Sequence, residues 1–194
     1  MNKNDLEKVY CRLSVLKGRP LRMLNRAGSM VKAYFGDDVE TDVWALDAEN
    51  KLCRDGLGKI YKVKDTLPKY ALHAECTSRI TCDGKIILAK SDIFLPAQKI
   101  ASDECFEWEN FVWDEMGNNY FDEVTSDLIS KSTPDFIVKD VSISKYGDVS
   151  IQFENGFVLE LFADGSSGSE NWRFFENGTE SGHLIMSGDG VDSL

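Results

Sequence analysis

Near the start of the chain, apolar residues fall at Leu6, Val9, Tyr10, Leu13 and Leu16, close to the helical period. Asn4 or Asp5 is placed to cap this segment, and Gly18 and Pro20 close it, so the pattern predicts an N-terminal helix. "SMVKAYFG" reads as a strand that ends at Gly36. Residues 37–68 are polar and weakly periodic, and predict a long connection with short strands around 43–46 and 60–63. Then Tyr70, Leu72, Ala74 and Cys76 alternate with Ala71, His73 and Glu75, the period of a strand with one buried face. Asp83-Gly84 is a two-residue hairpin turn, and residues 85–94 form the return strand, stopped by Pro96. Residues 121–129 predict a short helix. After Pro134 come short apolar runs ("FIVKDVSIS", "VSIQF", "FVLELF", "ENWRFFENG", "HLIMSG"), separated by turns that include Asn155-Gly156. The expectation is an α+β fold, mostly antiparallel β, with an N-terminal helix.

The two ends of the chain resemble each other. Arg79-Ile80 and Arg173-Phe174 each follow an alternating strand, and each is followed by a turn and a strand ending at a serine, Ser91 or Ser187. Two duplicated β-meander halves, 1–100 and 134–194, would then share one core, joined within a single domain by an acidic aromatic segment, 101–133. Hairpins that merely share alternation and glycine turns would give a similar pattern.

At 194 residues and 42% hydrophobic content the chain can bury a substantial core. No apolar run approaches the ~20 residues that span a bilayer, and the first residues lack the apolar stretch of a secretory signal, so a cytoplasmic location is expected. The five cysteines include no C-x-x-C pair and read as reduced thiols. Charge sharpens the picture. The net charge is −11, and it is segregated. Residues 1–32 carry eight Lys/Arg against two Asp/Glu. Residues 100–130 carry nine acids and no Lys or Arg, and residues 146–194 carry nine acids and one base, Arg173. Such blocks repel nucleic acid and anionic membranes and attract a cationic partner, unless the basic N-terminal segment folds back to mask them.

Candidate chemistry is sparse. There is no P-loop, G-x-S-x-G or G-x-G-x-x-G, and only two histidines are present, His73 and His183. A metal set of His73, Cys76 and Cys82 is disfavoured, because positions 73 and 76 of a strand face opposite sides. No enzyme activity, metal or cofactor is expected. The segment "DECFEWENFVWDEMGNNYFDE" interleaves six aromatics with eight acids. It is either a core-anchored loop with its acids in water or an interface in which Asp103, Glu104, Glu107, Glu109, Asp114 and Glu115 steer a basic partner and Trp108 or Trp113 anchors it. A second reading, from another functional class, places Arg26, Arg79 and Arg173 around an anionic ligand in a cleft between the halves, with Trp172 stacked on it. Alternatively, "ENWR" is a structural pin, with its arginine paired to an acid such as Glu170 or Asp92.

Taken together, "LKGRPLRMLNRAGSM", "YALHAECTSRI", "GKIILAKSDIFLP", "ENWRFFE" and "HLIMSG" resemble a group of uncharacterised bacterial proteins with "YALHxxCxWRI" and "ExWRxF…H" motifs. Small acidic cytosolic members of that group look like immunity proteins of bacterial toxin systems. The resemblance covers most of the chain and departs at Ser78, where the pattern has Trp. The group itself carries no biochemical activity over to this chain; the segregated acidic charge, the aromatic–acidic segment 103–123 and the absence of catalytic motifs point to a non-enzymatic protein that neutralises a basic toxin or nuclease domain.

Overall fold

The computed structural model describes residues 1–47, 51–130 and 136–193. Helix α1 (Lys3–Ser14) is capped by Asn2, whose Oδ1 accepts from Asp5 N–H at 2.9 Å, ahead of the expected Asn4 or Asp5. It leads into a meander of β1 (Leu21–Ala27), β2 (Met30–Trp44) and β3 (Lys62–Ala74), followed by the hairpin β4 (Thr77–Cys82) and β5 (Lys85–Ala89). A 3-10 turn (Lys90–Phe94) and the short α2 (Gln98–Ala101) precede the acidic segment, which ends at α3 (Tyr120–Ser130). A second meander follows, β6 (Val138–Ile143), β7 (Val149–Phe153) and β8 (Val158–Phe162), then β9 (Glu170–Glu176), β10 (Leu184–Ser187) and β11 (Gly190–Ser193). The fold is α+β and mostly antiparallel β. The expected start of a second half at Pro134 lies outside the described residues.

Two antiparallel sheets share one core. The first has the order β1-β2-β3-β9-β10-β11 and the second β5-β4-β8-β7-β6. Each meander therefore takes its outermost pair of strands from the other end of the chain. Replacing β1 to β5 by β6 to β10 turns one sheet order into the other, with β11 as an added edge. The helices follow the same rule, since α1 packs on β6 and α3 on β1. The meanders meet where Pro20 bridges Ile137 and Leu21 N–H donates to the Phe136 carbonyl. Residues from both sheets and both long helices, among them Leu13, Phe35, Leu72, Phe121, Ile151 and Trp172, form one buried cluster.

The strand expected through Cys76 is broken instead. β3 ends at Ala74, and the Glu75 and Cys76 N–H groups donate to the Asn171 carbonyl while the chain crosses to the other sheet. The inward alternation persists across the break, with Leu72, Ala74, Cys76, Ser78 and Ile80 all buried. Asp83 and Gly84 both have positive φ, 50° and 73°, as the turn between β4 and β5 requires. The return strand stops at Ala89, because the Asp92 carboxylate accepts the Ala89 N–H and starts the 3-10 turn.

The largest departure from expectation is residues 37–68. The strands expected around 43–46 and 60–63 are the far ends of β2 and β3, which pair through Trp44 and Lys62 and make one long ribbon instead of a loop. A bulge between Phe35 and Asp38 marks the point where the ribbon leaves the sheet. Along β2 and one residue beyond it, Val39, Thr41, Val43 and Ala45 are partly or fully covered and alternate with the exposed Asp38, Glu40, Asp42 and Trp44, but on β3 residues 62–66 are exposed on both faces, so the returning strand lacks the one-sided alternation that signals a strand.

Candidate functional site

The acidic segment is held from inside by its backbone. Arg26 on β1 is buried, with 1% of its side chain exposed, and forms a two-pronged ion pair with Asp122 of α3, Nε to Oδ1 at 2.9 Å and Nη2 to Oδ2 at 2.8 Å. Its remaining N–H groups donate to the carbonyls of Gly28, Asp114 and Glu115. Asp122 also accepts the Gly117 N–H at 2.8 Å. Asn119, fully buried, accepts the Asp122 N–H at 2.8 Å through Oδ1, capping α3, and donates from Nδ2 to the Trp113 carbonyl at 2.8 Å. A guanidinium offers five donors in a fixed fork, and here it gathers one carboxylate and three carbonyls.

With the carbonyls of Asp114 and Glu115 turned inward, all six carboxylates of Asp103, Glu104, Glu107, Glu109, Asp114 and Glu115 lie in solvent. None is ion-paired among the described residues. Three accept short-range hydrogen bonds, Asp103 from Cys105 N–H, Glu107 from Asn110 and Glu115 from Asn118. The two tryptophans separate. Trp113 is half-buried, packs against the core and meets Phe94 edge-on at 4.9 Å. Trp108 is 62% exposed and forms a three-ring cluster with Phe106 and Phe111 at 5.3 and 6.0 Å. Beside this cluster runs a groove of about 460 Å³, with Ile100, Phe106, Phe111 and Val112 among its apolar lining and Asp103, Glu107 and Glu115 as acids; Lys99 is its one cation among the described residues. Among the described residues the basic N-terminal segment does not mask it: of residues 1–32, Lys17 pairs with Asp140, Arg19 with Asp37 and Lys3 with Glu7, and only Arg26 pairs with the 100–130 block, at the buried Asp122.

The four residues of the alternative ligand site are not brought together. Arg26 is spent on Asp122 and the segment backbone. Arg79 stands on β4 in the second sheet, opposite Glu160 on β8, and donates to it at 2.7 Å. Arg173 stands on β9 of the first sheet, opposite His73, separated from Arg26 on β1 by both β2 and β3, and forms a two-pronged pair with Glu170. Glu170 was one of the two acids expected as an arginine partner; Asp92, the other, caps the 3-10 turn. Trp172 is fully buried, and its Nε1–H donates to the Gly147 carbonyl at 2.8 Å. Gly147 is there for a reason: its φ is 97°, and a Cβ would sit 2.7 Å from the Met186 sulfur. Ser78, where the motif pattern has Trp, occupies the position in β4 that Trp172 occupies in β9, and it too is buried. Arg79 and Arg173 likewise stand at matching positions of the two sheets.

His73 lies outside the core on the outer face of β3, whereas Cys76 is buried within it. Burial pushes the Cys76 thiol up to about 12, with Asp164 adding to the effect. Among the described residues no group of three His, Cys, Asp or Glu could hold a metal, and no helix is long and apolar enough to cross a membrane. Asp122 and Glu160 carry no local signal in the sequence and are identified only by contacts across distant segments, whereas Asn119 stands at a helix N-cap and Gly147 in a turn, both of which are local patterns. No protein-family model, curated protein or solved structure matches the chain.

Proposed function

We propose that this chain is a non-enzymatic bacterial binding protein, an immunity or inhibitor protein that acts in the cytoplasm and takes a basic toxin or nuclease domain on residues 103–115. One observation carries the reading: six exposed carboxylates without a cationic partner among the described residues share a segment with an exposed Trp108, and three of them, Asp103, Glu107 and Glu115, line a groove whose other walls include Phe106, Phe111 and Val112. Like charges held together repel, and a cationic surface relieves that repulsion while speeding encounter. An exposed indole beside a groove supplies the aromatic anchor that concentrates binding energy. The Arg26 and Asn119 contacts pre-order the segment, so little entropy is lost on docking.

The test compares the immobilised chain with a variant in which Asp103, Glu107, Asp114 and Glu115 are reversed to Lys, each exposed to bacterial lysate at low salt. A basic protein should bind the native chain stoichiometrically, leave as salt is raised, and have its toxic or nuclease activity inhibited. The reversal should weaken affinity by about 100-fold, from roughly 0.7 kcal/mol per exposed charge, and flatten the salt dependence. Unchanged affinity in the variant would reject this surface. A captured protein whose activity is untouched would reject inhibition.

A further inference from the structure

Directly opposed residues of neighbouring strands share a face of the sheet. The register pairs Asn25 on β1 with Lys32 on β2, Lys32 with His73 on β3, and His73 with Arg173 on β9. These four therefore form one row on the outer face of the first sheet, away from the shared core. Lys32 and Arg173 flank His73 from either side, their Cα atoms roughly 10 Å apart across two strand spacings. Both side chains are long enough to meet over the ring between them. Both charges, with that of His183, act on that ring in the same direction as its burial.

Lys32 is the member whose presence the fold does not explain. It is half-buried, and burial lowers its pKa. Its ammonium makes no hydrogen bond or ion pair among the described residues. A cation taken partly out of water normally keeps a counter-ion. Arg173 is only partly spent. Glu170 takes its Nε and Nη2 and leaves Nη1 without a partner among the described residues. The buried Tyr34 and Phe175 wall the ring: the Tyr34 hydroxyl is 3.2 Å from His73 Nε2, and Phe175 meets the imidazole edge-on at 5.0 Å. The nearby acids act on other groups, Glu170 and Glu75 on Arg173 and Glu170 on His183. No carboxylate shifts the titration of Lys32 or His73.

We propose that this row is an anion site, in which a phosphate-class oxyanion bridges Lys32 Nζ and Arg173 Nη1 over the His73 ring. Donors that approach from the two flanks and from the ring below suit a tetrahedral oxyanion better than a planar carboxylate. The bound anion supplies the negative charge that the ring lacks, so binding favours the imidazolium and takes up a proton. The net charge of −11 opposes an anion at long range, but a Debye length of about 10 Å at 0.1 M salt leaves the local cations dominant. The site is independent of the basic partner proposed for residues 103–115.

The imidazole resonances of the intact, isotope-labelled chain test this, followed at about pH 6.5 as inorganic phosphate is raised to about 20 mM, a range that spans millimolar affinity. Sodium chloride at matched ionic strength is the control. The His73 signals should move to saturation with phosphate. Its pH midpoint, about 4 without phosphate, should rise, with proton affinity up by about tenfold. Lys32→Gln breaks no hydrogen bond or ion pair and should weaken phosphate binding by about tenfold or more, whereas Lys32→Arg should retain it. Tighter binding of glycerol 3-phosphate than of inorganic phosphate would assign the site to the phosphate group of an ester, and equal affinity to the free ion. A response no larger than that to chloride, or one that Lys32→Gln leaves unaltered, overturns the inference.

Discussion

The imidazole of His73 lies on the outer face of β3, its Nε2 3.2 Å from the Tyr34 hydroxyl and its ring edge-on to Phe175. Burial, then the nearby charges of Lys32, Arg173 and His183, lowers its pKa from 6.5 to about 4. The unfolded chain therefore takes up a proton near pH 6.5 that the folded chain refuses until about pH 4. Stability from this residue is full above pH 6.5 and declines as pH falls towards 4, by on the order of 3 kcal/mol in total. His183, stacked on Phe175 at 4.4 Å and also lowered by burial, acts with the same sign. Denaturant titrations from pH 7 to pH 5, above the range in which most carboxylates protonate, should show this slope, and His73→Phe should reduce it. An unchanged slope would mean that the ring is hydrated. The alternation places His73 opposite Leu72 and Ala74 on the strand, and that much is legible locally. Its pKa is not, because the groups that shift it arrive on β2, on β9 and just ahead of β10.

At the level of elements, β1 and α3 are clamped to the acidic segment by a single side chain. Arg26→Ala would leave Asp122 buried without its counter-ion, and the carbonyls of Asp114 and Glu115 without their donors. Breaking a buried pair from one side costs about 3–5 kcal/mol, measurable by chemical denaturation. Amide exchange at 114–117 should accelerate together with the loss of stability. Arg26→Lys should restore little, since an ammonium cannot span the carboxylate and three carbonyls. A loss below about 1 kcal/mol would show that water replaces the guanidinium. The acids and aromatics of this segment were readable in the sequence. Which way they point was not, because the backbone direction is set by Arg26, far away on β1, acting with Asn119 and Asp122 at the start of α3.

For the whole molecule, the exchange of strands between sheets makes each half dependent on the other. The first half contributes β4 and β5 to the second sheet, where Arg79 pairs with Glu160, and the second half contributes β9 and β10 to the first, where Phe174 faces Leu72. Alone, either half would expose the free edges of β3 or β8 and a bare apolar face. Fragments 1–102 and 103–194 should each lack cooperative unfolding, while co-expression should yield one soluble complex that melts in a single transition. A fragment that folds by itself would mean that its meander closes its own core. Matching strand orders, matching helix placements and the matched Arg79 and Arg173 are what a duplicated unit with exchanged strands would produce.

Features set by neighbouring residues could be read from the sequence alone: the N-terminal helix, the Asp83-Gly84 and Asn155-Gly156 turns, the inward alternation around Leu72 and Leu159, the short helix over 121–129 and the charge blocks. Backbone preference and side-chain period act over a few residues, so they survive in a one-dimensional pattern. Tertiary structure alone decided the rest. It buried Trp172, occupied Arg26, Arg79 and Arg173 each with a carboxylate of its own, sent β3 and β4 into different sheets and stretched residues 37–68 into a ribbon. Each of these outcomes depends on which distant group supplies a hydrogen bond, a counter-ion or an apolar surface. Such partners lie on strands far apart in the chain and meet only when the two sheets close on their shared core.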